Sequence, residues 1–278
     1  MNESIFSLLI AIGSFAAGLI GSLTGLGGGV VIIPLLTLVF GVNMHYAMGA
    51  SLISVIATSS GSAAAYVRGG YSNIRIGLFL EIATTSGAML GAILATRVPT
   101  SWLALILGLV LMYTALAGSP KEDSGKAAAE SNPKRGFLRL DGTMPTPKGL
   151  VHYQAKRVPL AFGLMGLAGT LSGLLGIGSG AIKVLAMDWA MGLPFKVSTT
   201  TSNFMIGVTA AAGAGIYLRN GYVQPGLAMP VMLGVLAGSL LGAKILIAQP
   251  SQHLRTIFRF VIGGLAVELI YNGLKGHI

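Results

Sequence analysis

The chain has 278 residues, of which 53% are hydrophobic and only 9% are charged. Soluble domains carry about a quarter charged residues, so this composition indicates a polytopic membrane protein. The absence of cysteine excludes disulfides, iron–sulfur clusters and thiolate zinc sites. The formal net charge is +10, and eight of the 18 Lys and Arg residues fall within residues 118–157. This basic cluster is typical of a cytoplasmic loop, and it lacks the interleaved aromatics that nucleic-acid binding requires.

The first half of the chain predicts four long helices and one short apolar segment. Residues 4–24 form the first span, and the glycines at 25–29 then break it. The segment after the break, Val30–Phe40, is about half a bilayer long as a helix. Three further long helices are predicted at 47–67, 74–96 and 101–117.

The second half repeats this plan after a polar stretch. Residues 118–157 are rich in Gly and Pro and show no apolar period, which predicts a flexible cytoplasmic linker. The later helices, break and short segment are predicted at 158–175, 176–180, 181–191, 196–218, 225–248 and 252–274. The predicted domains are therefore a first transmembrane repeat at 1–117 and a second at 158–278.

The two halves align at an offset of 151 residues. Gly18 to Pro99 matches Gly169 to Pro250 without a gap. Identical residues at equivalent positions include the pairs Ser51/Ser202, Thr58/Thr209, Tyr66/Tyr217, Arg68/Arg219 and Tyr71/Tyr222. The sequence therefore predicts an all-α membrane protein of two homologous repeats, with eight long spans and two short half-helices.

The positive charges distinguish two arrangements of these repeats. If each short segment enters the membrane and returns to the same side, the repeats are parallel. If each short segment completes another crossing of the membrane, the repeats are inverted. With the linker in the cytoplasm, inversion places the following basic residues inside: Arg68, Arg75, Lys196, Arg255 and Arg259. The parallel arrangement leaves these outside: Arg97, Lys196, Arg255 and Arg259. The positive-inside rule favours inverted repeats.

The two glycine breaks are the candidate anion site. In transporters built from repeats, broken helices meet near the bilayer midplane, and their N-termini face anionic groups of the substrate. The residues that precede the two short segments are the candidates: Gly27, Gly28, Gly29, Gly178, Ser179 and Gly180. Close helix packing is the alternative explanation for each single glycine.

Lys183 is the candidate charge within the membrane. A charge at this depth is costly and faces either a polar cavity or a partner. As a substrate-binding residue, Lys183 could attract the anion beside the Gly178–Gly180 amides. Asp188 lies about 140° around the helix from Lys183, which is poor for direct contact, so Glu81 and Glu268 are equally open as partners. Lys183, Asp188 and Glu81 are the candidates for coupling transport to a second ion, and proton coupling stays open.

Polar side chains on the two hydroxyl-rich helices complete the candidate binding site. They are Ser51, Thr58, Thr200, Ser202 and Asn203. Hydroxyls suit an anion that must leave again, but each can instead bond to the carbonyl one turn earlier. The four histidines are scattered and form no metal spacing, so no metal, catalytic residue or cofactor is predicted.

The glycine motifs give the chain a resemblance to a known family. Gly25-Leu26-Gly27-Gly28-Gly29, followed by Pro34-Leu35-Leu36, resembles the G-x-G-G-G-x-x-x-x-P-x-L signature of the TauE/SafE, or sulfite exporter, family. In the second copy Ser179 replaces a glycine and Leu185 stands where the proline would be. The resemblance implies a transporter of small anions that contain sulfur or carboxylate.

These patterns predict a secondary transporter that moves a small anion across the bacterial or archaeal plasma membrane by alternating access. The chain has no P-loop motif for an ATP-driven pump, and no histidine lies in a helix core to make Ser179 a protease nucleophile. An anion-selective channel stays open, because glycine-rich re-entrant segments also build pores. The expected partners are the anion and the lipid bilayer, and a homo-oligomer stays open.

Overall fold

A computed structural model of the chain describes residues 3–24, 28–117, 140–146, 149–248 and 252–276. Within these ranges the chain forms ten α-helices and one two-stranded β-hairpin. The long helices are α1 Glu3–Thr24, α3 Met44–Arg68, α4 Ile74–Ala95, α5 Thr100–Ala117, α6 Val158–Leu175, α8 Phe195–Arg219, α9 Pro225–Ala248 and α10 Gln252–Lys275. The prediction of an all-α membrane protein is confirmed. The described residues include a helix at each predicted long and short segment.

Two short helices follow the glycine breaks, and both end in a π-helical turn. Helix α2 covers Gly29–Pro34 and continues into the π turn Leu35–Val39. Helix α7 covers Gly180–Leu185 and continues into the π turn Ala186–Ala190. A proline disturbs the hydrogen-bond ladder of a helix, but only the first copy has one. The π turn therefore does not depend on Pro34.

Apolar helices pack against the two hydroxyl-rich helices. Helices α1, α4, α6 and α9 are each long and apolar enough to cross a membrane, so the chain is a multi-pass membrane protein. They pack as two pairs, α1 with α9 and α4 with α6, while α5 packs against α10. The hydroxyl-rich helices α3 and α8 pack against each other and against α9 and α4, respectively. Except for Ser60, the Ser and Thr side chains of these two helices are buried, away from lipid, where each would lack a hydrogen-bond partner.

Glycines bring the outer helix pairs into backbone contact. A Cβ atom added to Gly18 of α1 would lie 2.3 Å from the Val235 carbonyl oxygen of α9. One added to Gly169 of α6 would lie 2.1 Å from the Thr84 carbonyl oxygen of α4. Gly18 and Gly169 are equivalent in the sequence alignment, as are Thr84 and Val235. At these glycines, close helix packing is the reason for the small residue.

Helices α3 and α8 run antiparallel through the centre. Near the start of α3, a Cβ on Gly49 would lie 2.2 Å from the carbonyl oxygen of Tyr222, which follows α8. Midway along the pair, Ser59 Oγ donates a hydrogen bond to the Asn203 carbonyl at 2.6 Å. Beyond the end of α3, the Asn73 backbone N–H donates to Thr201 Oγ1 near the start of α8 at 2.9 Å.

The polar stretch between the halves contains a β-hairpin. Strand β1 Gly142–Thr146 pairs antiparallel with strand β2 Gly149–Tyr153. Tyr153 is buried and accepts a hydrogen bond from Asn73 Nδ2 at 3.0 Å. Burial raises the pKa of this phenol, so the hydroxyl stays neutral.

The hairpin corrects one expectation from the sequence. No regular structure was expected in 118–157, but the described part of this stretch holds the hairpin against the helices. Leu140 and Tyr153 join an apolar cluster that includes Ile76 and Leu80 of α4. Because this contact is made with residues distant in the chain, local composition did not reveal it. Residues 118–139 and 147–148 lie outside the described residues, and a flexible linker there stays a prediction.

Candidate functional site

The two glycine breaks differ in backbone conformation. Gly27 lies outside the described residues, and Gly28 precedes α2 with φ −62°, a conformation open to any residue. In the second break Gly176 and Gly178 have φ of +68° and +74°, which favours glycine. Ser179 has φ +50° in the same left-handed region, where a non-glycine residue is uncommon.

The first break lies against the second through α3. Ser51 Oγ donates a hydrogen bond to the Gly176 carbonyl at 2.7 Å. A Cβ on Gly29 would lie 2.5 Å from Ser51 Oγ and 3.3 Å from the Gly176 oxygen. A Cβ on Gly28 would lie 3.2 Å from Thr58 Oγ1, which itself donates to a carbonyl one turn earlier. The structure thus brings four predicted residues, Gly28, Gly29, Ser51 and Thr58, to the junction of the two halves.

Helix α8 holds the second break. Ser202 Oγ donates to the Gly180 carbonyl at 3.2 Å, and a Cβ on Gly178 would lie 2.9 Å from the side chain of Ile206. Ser179 is 2% exposed, and its hydroxyl has no hydrogen-bond partner among the described residues. A buried donor without a partner costs about 1–3 kcal/mol, so a further hydrogen-bond partner for this hydroxyl would be favourable.

Two other predicted residues of α8 have different environments. Asn203 is 1% exposed, and its side-chain amide nitrogen also lacks a partner among the described residues. Thr200 Oγ1 instead lies 2.9 Å from the Tyr71 carbonyl in the loop between α3 and α4, and 2.8 Å from the Lys196 carbonyl one turn earlier. The Thr200 hydroxyl is therefore engaged by backbone, whereas the Asn203 amide nitrogen has no such partner in the described part of the chain.

Lys183 is fully buried and belongs to a three-residue network. Its Nζ donates a hydrogen bond to Thr209 Oγ1, and that hydroxyl donates to Glu81 Oε1 at 2.5 Å. Lys183 Nζ also lies 3.9 Å from Glu81 Oε2. Of the partners that the sequence left open, Glu81 is the one in contact with Lys183. Asp188 is only half-buried in the π turn, and Glu268 is exposed on α10.

The network joins the two halves of the chain. Glu81 comes from α4 in the first half, whereas Lys183 and Thr209 come from α7 and α8 in the second. At the equivalent positions of the other half stand Ile32, Met232 and Thr58, so the charges have no counterpart there. Thr209 was missed as a site residue, although its equivalence to Thr58 in the repeat was the signal that could have found it.

Equivalent contacts to a tyrosine ring form at the two ends of the α3–α8 pair. The His45 ring at the start of α3 stacks on Tyr222 after α8, with centroids 4.7 Å apart. Lys196 at the start of α8 lies over Tyr71 after α3, with Nζ 4.1 Å from the ring centroid. His45 aligns with Lys196 and Tyr71 with Tyr222 in the sequence repeat. One end therefore carries an imidazole where the other carries an ammonium.

These features define a class of protein. A buried charge network lies beside broken helices inside an apolar helical bundle, and the part of the chain that the structure describes contains no cluster of metal-ligating residues. Such a site suits the passage of a polar solute through a membrane. The family described as sulfite exporter TauE/SafE matches residues 10–269, so the chain belongs to that family.

Relatives from bacteria and an archaeon extend over the same length. The probable membrane transporter protein YunE of Bacillus subtilis is 28% identical over 276 residues, covering 97% of this chain and 98% of that protein. YdhB of the same organism, also a probable membrane transporter, is 28% identical over 90% of this chain and 94% of its own. The probable transporter MJ0441 of Methanocaldococcus jannaschii is 24% identical, with 96% of each chain covered. No solved structure matches the chain. The family and these relatives thus group the chain with membrane transporters rather than with enzymes.

Proposed function

We propose that this protein is a secondary transporter of a small anion, either a sulfur-containing oxyanion, a sulfonate or a short organic acid. We place it in the plasma membrane and infer alternating access as its mechanism. The observation that carries the proposal is Lys183, a fully buried ammonium group that lies one turn into the half-helix after the second break. The family description names sulfite, which supports an oxyanion of sulfur as the substrate class.

Unsatisfied donors near the second break support an anionic ligand. Ser179 Oγ and Asn203 Nδ2 are buried and have no partner among the described residues, and both can donate hydrogen bonds. Helix α7 and its π turn point their N-terminal end toward Ser179, which adds a positive partial charge. An oxyanion would accept from these groups and relieve the cost of leaving them unpaired.

The contacts between the halves support inverted repeats. Equivalent helices α3 and α8 are neighbours and run antiparallel. A two-fold rotation that exchanges two antiparallel helices has its axis perpendicular to them rather than parallel to them. An axis across the membrane-spanning helices lies in the membrane plane, which is the relation between inverted repeats.

The basic residues support the same arrangement. Lys196 lies over Tyr71, so the start of α8 and the loop after α3 share one end of the molecule. Tyr153 of the hairpin bonds to Asn73 of that loop, so the described hairpin, which belongs to the basic stretch, lies at the same end. Inverted repeats place these groups together in the cytoplasm, whereas parallel repeats would put Lys196 on the opposite side from the linker.

A binding screen with a lysine variant tests the site. Purified protein in detergent is titrated with sulfite, thiosulfate, methanesulfonate and acetate, and the heat of binding is measured. Lys183→Met is expected to weaken binding at least tenfold, because the buried positive charge is lost, and Lys183→Arg to retain part of it. The matched control is Lys244→Met, since Lys244 is an exposed lysine on α9. Equal affinity of all four proteins for an anion that binds would exclude Lys183 from the site.

Counterflow distinguishes a carrier from a channel. In proteoliposomes loaded with the unlabelled anion that binds best, a carrier takes up labelled anion transiently above its external concentration, and the initial rate saturates. Alternating access predicts both effects, because the site faces one side at a time. A flux that rises linearly with concentration and shows no counterflow would identify a channel and contradict the proposed mechanism.

A further inference from the structure

The network around Lys183 leaves two positions free. The hydrogen bonds run from the ammonium through the Thr209 hydroxyl to Glu81 Oε1, which also accepts from Thr85 Oγ1 at 3.1 Å. Glu81 Oε2 accepts no hydrogen bond within the described residues, although it is buried. Within the described residues, the hydrogen bond from Lys183 Nζ to Thr209 uses one of the three N–H donors of the ammonium. An oxygen that can take a proton and an ammonium that can take an anion are thus held 3.9 Å apart.

Charge balance links these two positions. With Glu81 ionised, the Lys183–Glu81 pair is neutral without any ligand. Adding net charge to a buried pair of this kind is energetically unfavourable. An anion bound at Lys183 would leave one uncompensated negative charge in the protein interior, which is strongly unfavourable. A proton bound to Glu81 removes that charge, because the ammonium is then paired with the anion instead of the carboxylate.

We propose that Glu81 Oε2 is a proton-binding site and that one proton crosses the membrane with each monovalent anion. On one side of the membrane a proton from the aqueous phase forms an O–H bond on Glu81 Oε2, while the anion pairs with the Lys183 ammonium. On the other side the proton returns to water, the anion dissociates, and the Lys183–Glu81 pair forms again. The inference rests on the proposed function and adds to it the coupling ion and the charge of the substrate.

The surroundings of Glu81 leave Lys183 as its charged partner. In the described residues, α6 carries no titratable side chain, and α4 carries Arg75 at its first turn. The titratable groups of α8 lie near its two ends, at Lys196, Tyr217 and Arg219, and Asp188 is in the π turn after α7. Thr84 and Thr85 of α4 supply hydroxyls only. The charge of this site is therefore set by Lys183, Glu81 and the bound anion.

Uptake driven by a pH gradient tests the coupling. Purified protein is reconstituted in liposomes that contain a pH-sensitive dye, with the membrane potential clamped at zero by potassium and valinomycin. Methanesulfonate and sulfite are the probes, and methanesulfonate brings no proton of its own. With one proton per anion, each unit of pH difference, acid outside, supports about tenfold accumulation of methanesulfonate, and the dye records one proton entering per anion. Clamping the potential at other values is expected to leave the accumulation unchanged, because the loaded and empty sites are both neutral.

The variant Glu81→Gln separates coupling from transport. The amide keeps the shape of the side chain but cannot exchange a proton, so counterflow is expected to persist while accumulation falls from about tenfold to equilibration. The matched control is Glu268→Gln, since Glu268 is exposed on α10 and should remain coupled.

Three results would overturn the inference in distinguishable ways. Net uptake of methanesulfonate by wild type without proton entry refutes coupling and leaves the proposed function intact. Accumulation by Glu81→Gln equal to wild type assigns the proton to another group. If none of sulfite, thiosulfate, methanesulfonate and acetate exchanges in wild type, the proposed function fails and the coupling fails with it. The wild-type measurements decide the first and third results even if the variant does not fold.

Discussion

Tyr66 and Tyr217 show how single residues repeat their role in both halves. Tyr66 donates a hydrogen bond to the Ser22 carbonyl at 3.1 Å, and Tyr217 donates to the Gly173 carbonyl at 3.2 Å. The two tyrosines align in the sequence repeat, as do their acceptors. Each hydroxyl satisfies a carbonyl near the end of the helix before a glycine break, in a region where lipid offers no partner.

Removing either hydroxyl should have the same effect on stability. Tyr66→Phe and Tyr217→Phe are each expected to lower the free energy of unfolding by about 0.5–1.5 kcal/mol, because each leaves a buried carbonyl with one bond fewer. Unfolding by a denaturing detergent in mixed micelles measures the change. Tyr113→Phe is the matched control, since Tyr113 on α5 is 58% exposed. A loss confined to one of the two buried tyrosines would show that the halves are not equivalent at this position.

At the level of elements, close packing between α4 and α6 depends on glycine. A Cβ on Gly173 of α6 would lie 1.9 Å from the Ala88 carbonyl oxygen of α4, so the backbone itself must move to admit alanine. Gly163 on the same helix has open space at its Cβ position. The two positions therefore separate the packing role of glycine from its cost to the helix.

Alanine at these two positions should act in opposite directions. Gly173→Ala is expected to lower stability by about 1–3 kcal/mol through overpacking. Gly163→Ala is expected to be neutral or to raise stability by up to about 1 kcal/mol, because alanine restricts the unfolded chain. Thermal unfolding of the detergent-solubilised protein measures both. A decrease of similar size for Gly163→Ala would show that the loss at Gly173 is not specific to its contact with α4.

At the scale of the whole molecule, the orientation of the halves can be tested by labelling. Gly69 and Asn220 are equivalent in the repeat, and both are exposed in the turns that follow α3 and α8. The chain has no cysteine, so Gly69→Cys and Asn220→Cys each introduce a single reactive thiol. Inverted repeats predict that an impermeant maleimide applied to intact cells labels Asn220→Cys and not Gly69→Cys.

Permeabilised cells provide the control for this experiment, because both thiols should then react. Labelling of neither variant in intact cells, with both recovered after permeabilisation, would establish parallel repeats. The same result would remove the basis for placing the two glycine breaks at one site near the midplane.

The sequence by itself determined the membrane class, the long and short helices and the family, because these depend on local patterns. A run of apolar residues must cross or line the bilayer, and a glycine-rich break ends a helix wherever the chain folds. The offset of 151 residues also predicted which positions would be equivalent, as the pairs Tyr66/Tyr217 and Gly18/Gly169 illustrate.

Only the tertiary structure decided which polar residues meet. Lys183 had Glu81 and Glu268 as equal candidates in the sequence, and the packing of α4 beside α8 selected Glu81. The hairpin at Gly142–Tyr153 likewise depends on a hydrogen bond to Asn73, 80 residues away in the chain. Contacts of this kind join segments that are distant in sequence, so no local pattern encodes them. The charge pair at the centre of the proposed mechanism exists because the fold brings Glu81, and not Asp188 or Glu268, next to Lys183.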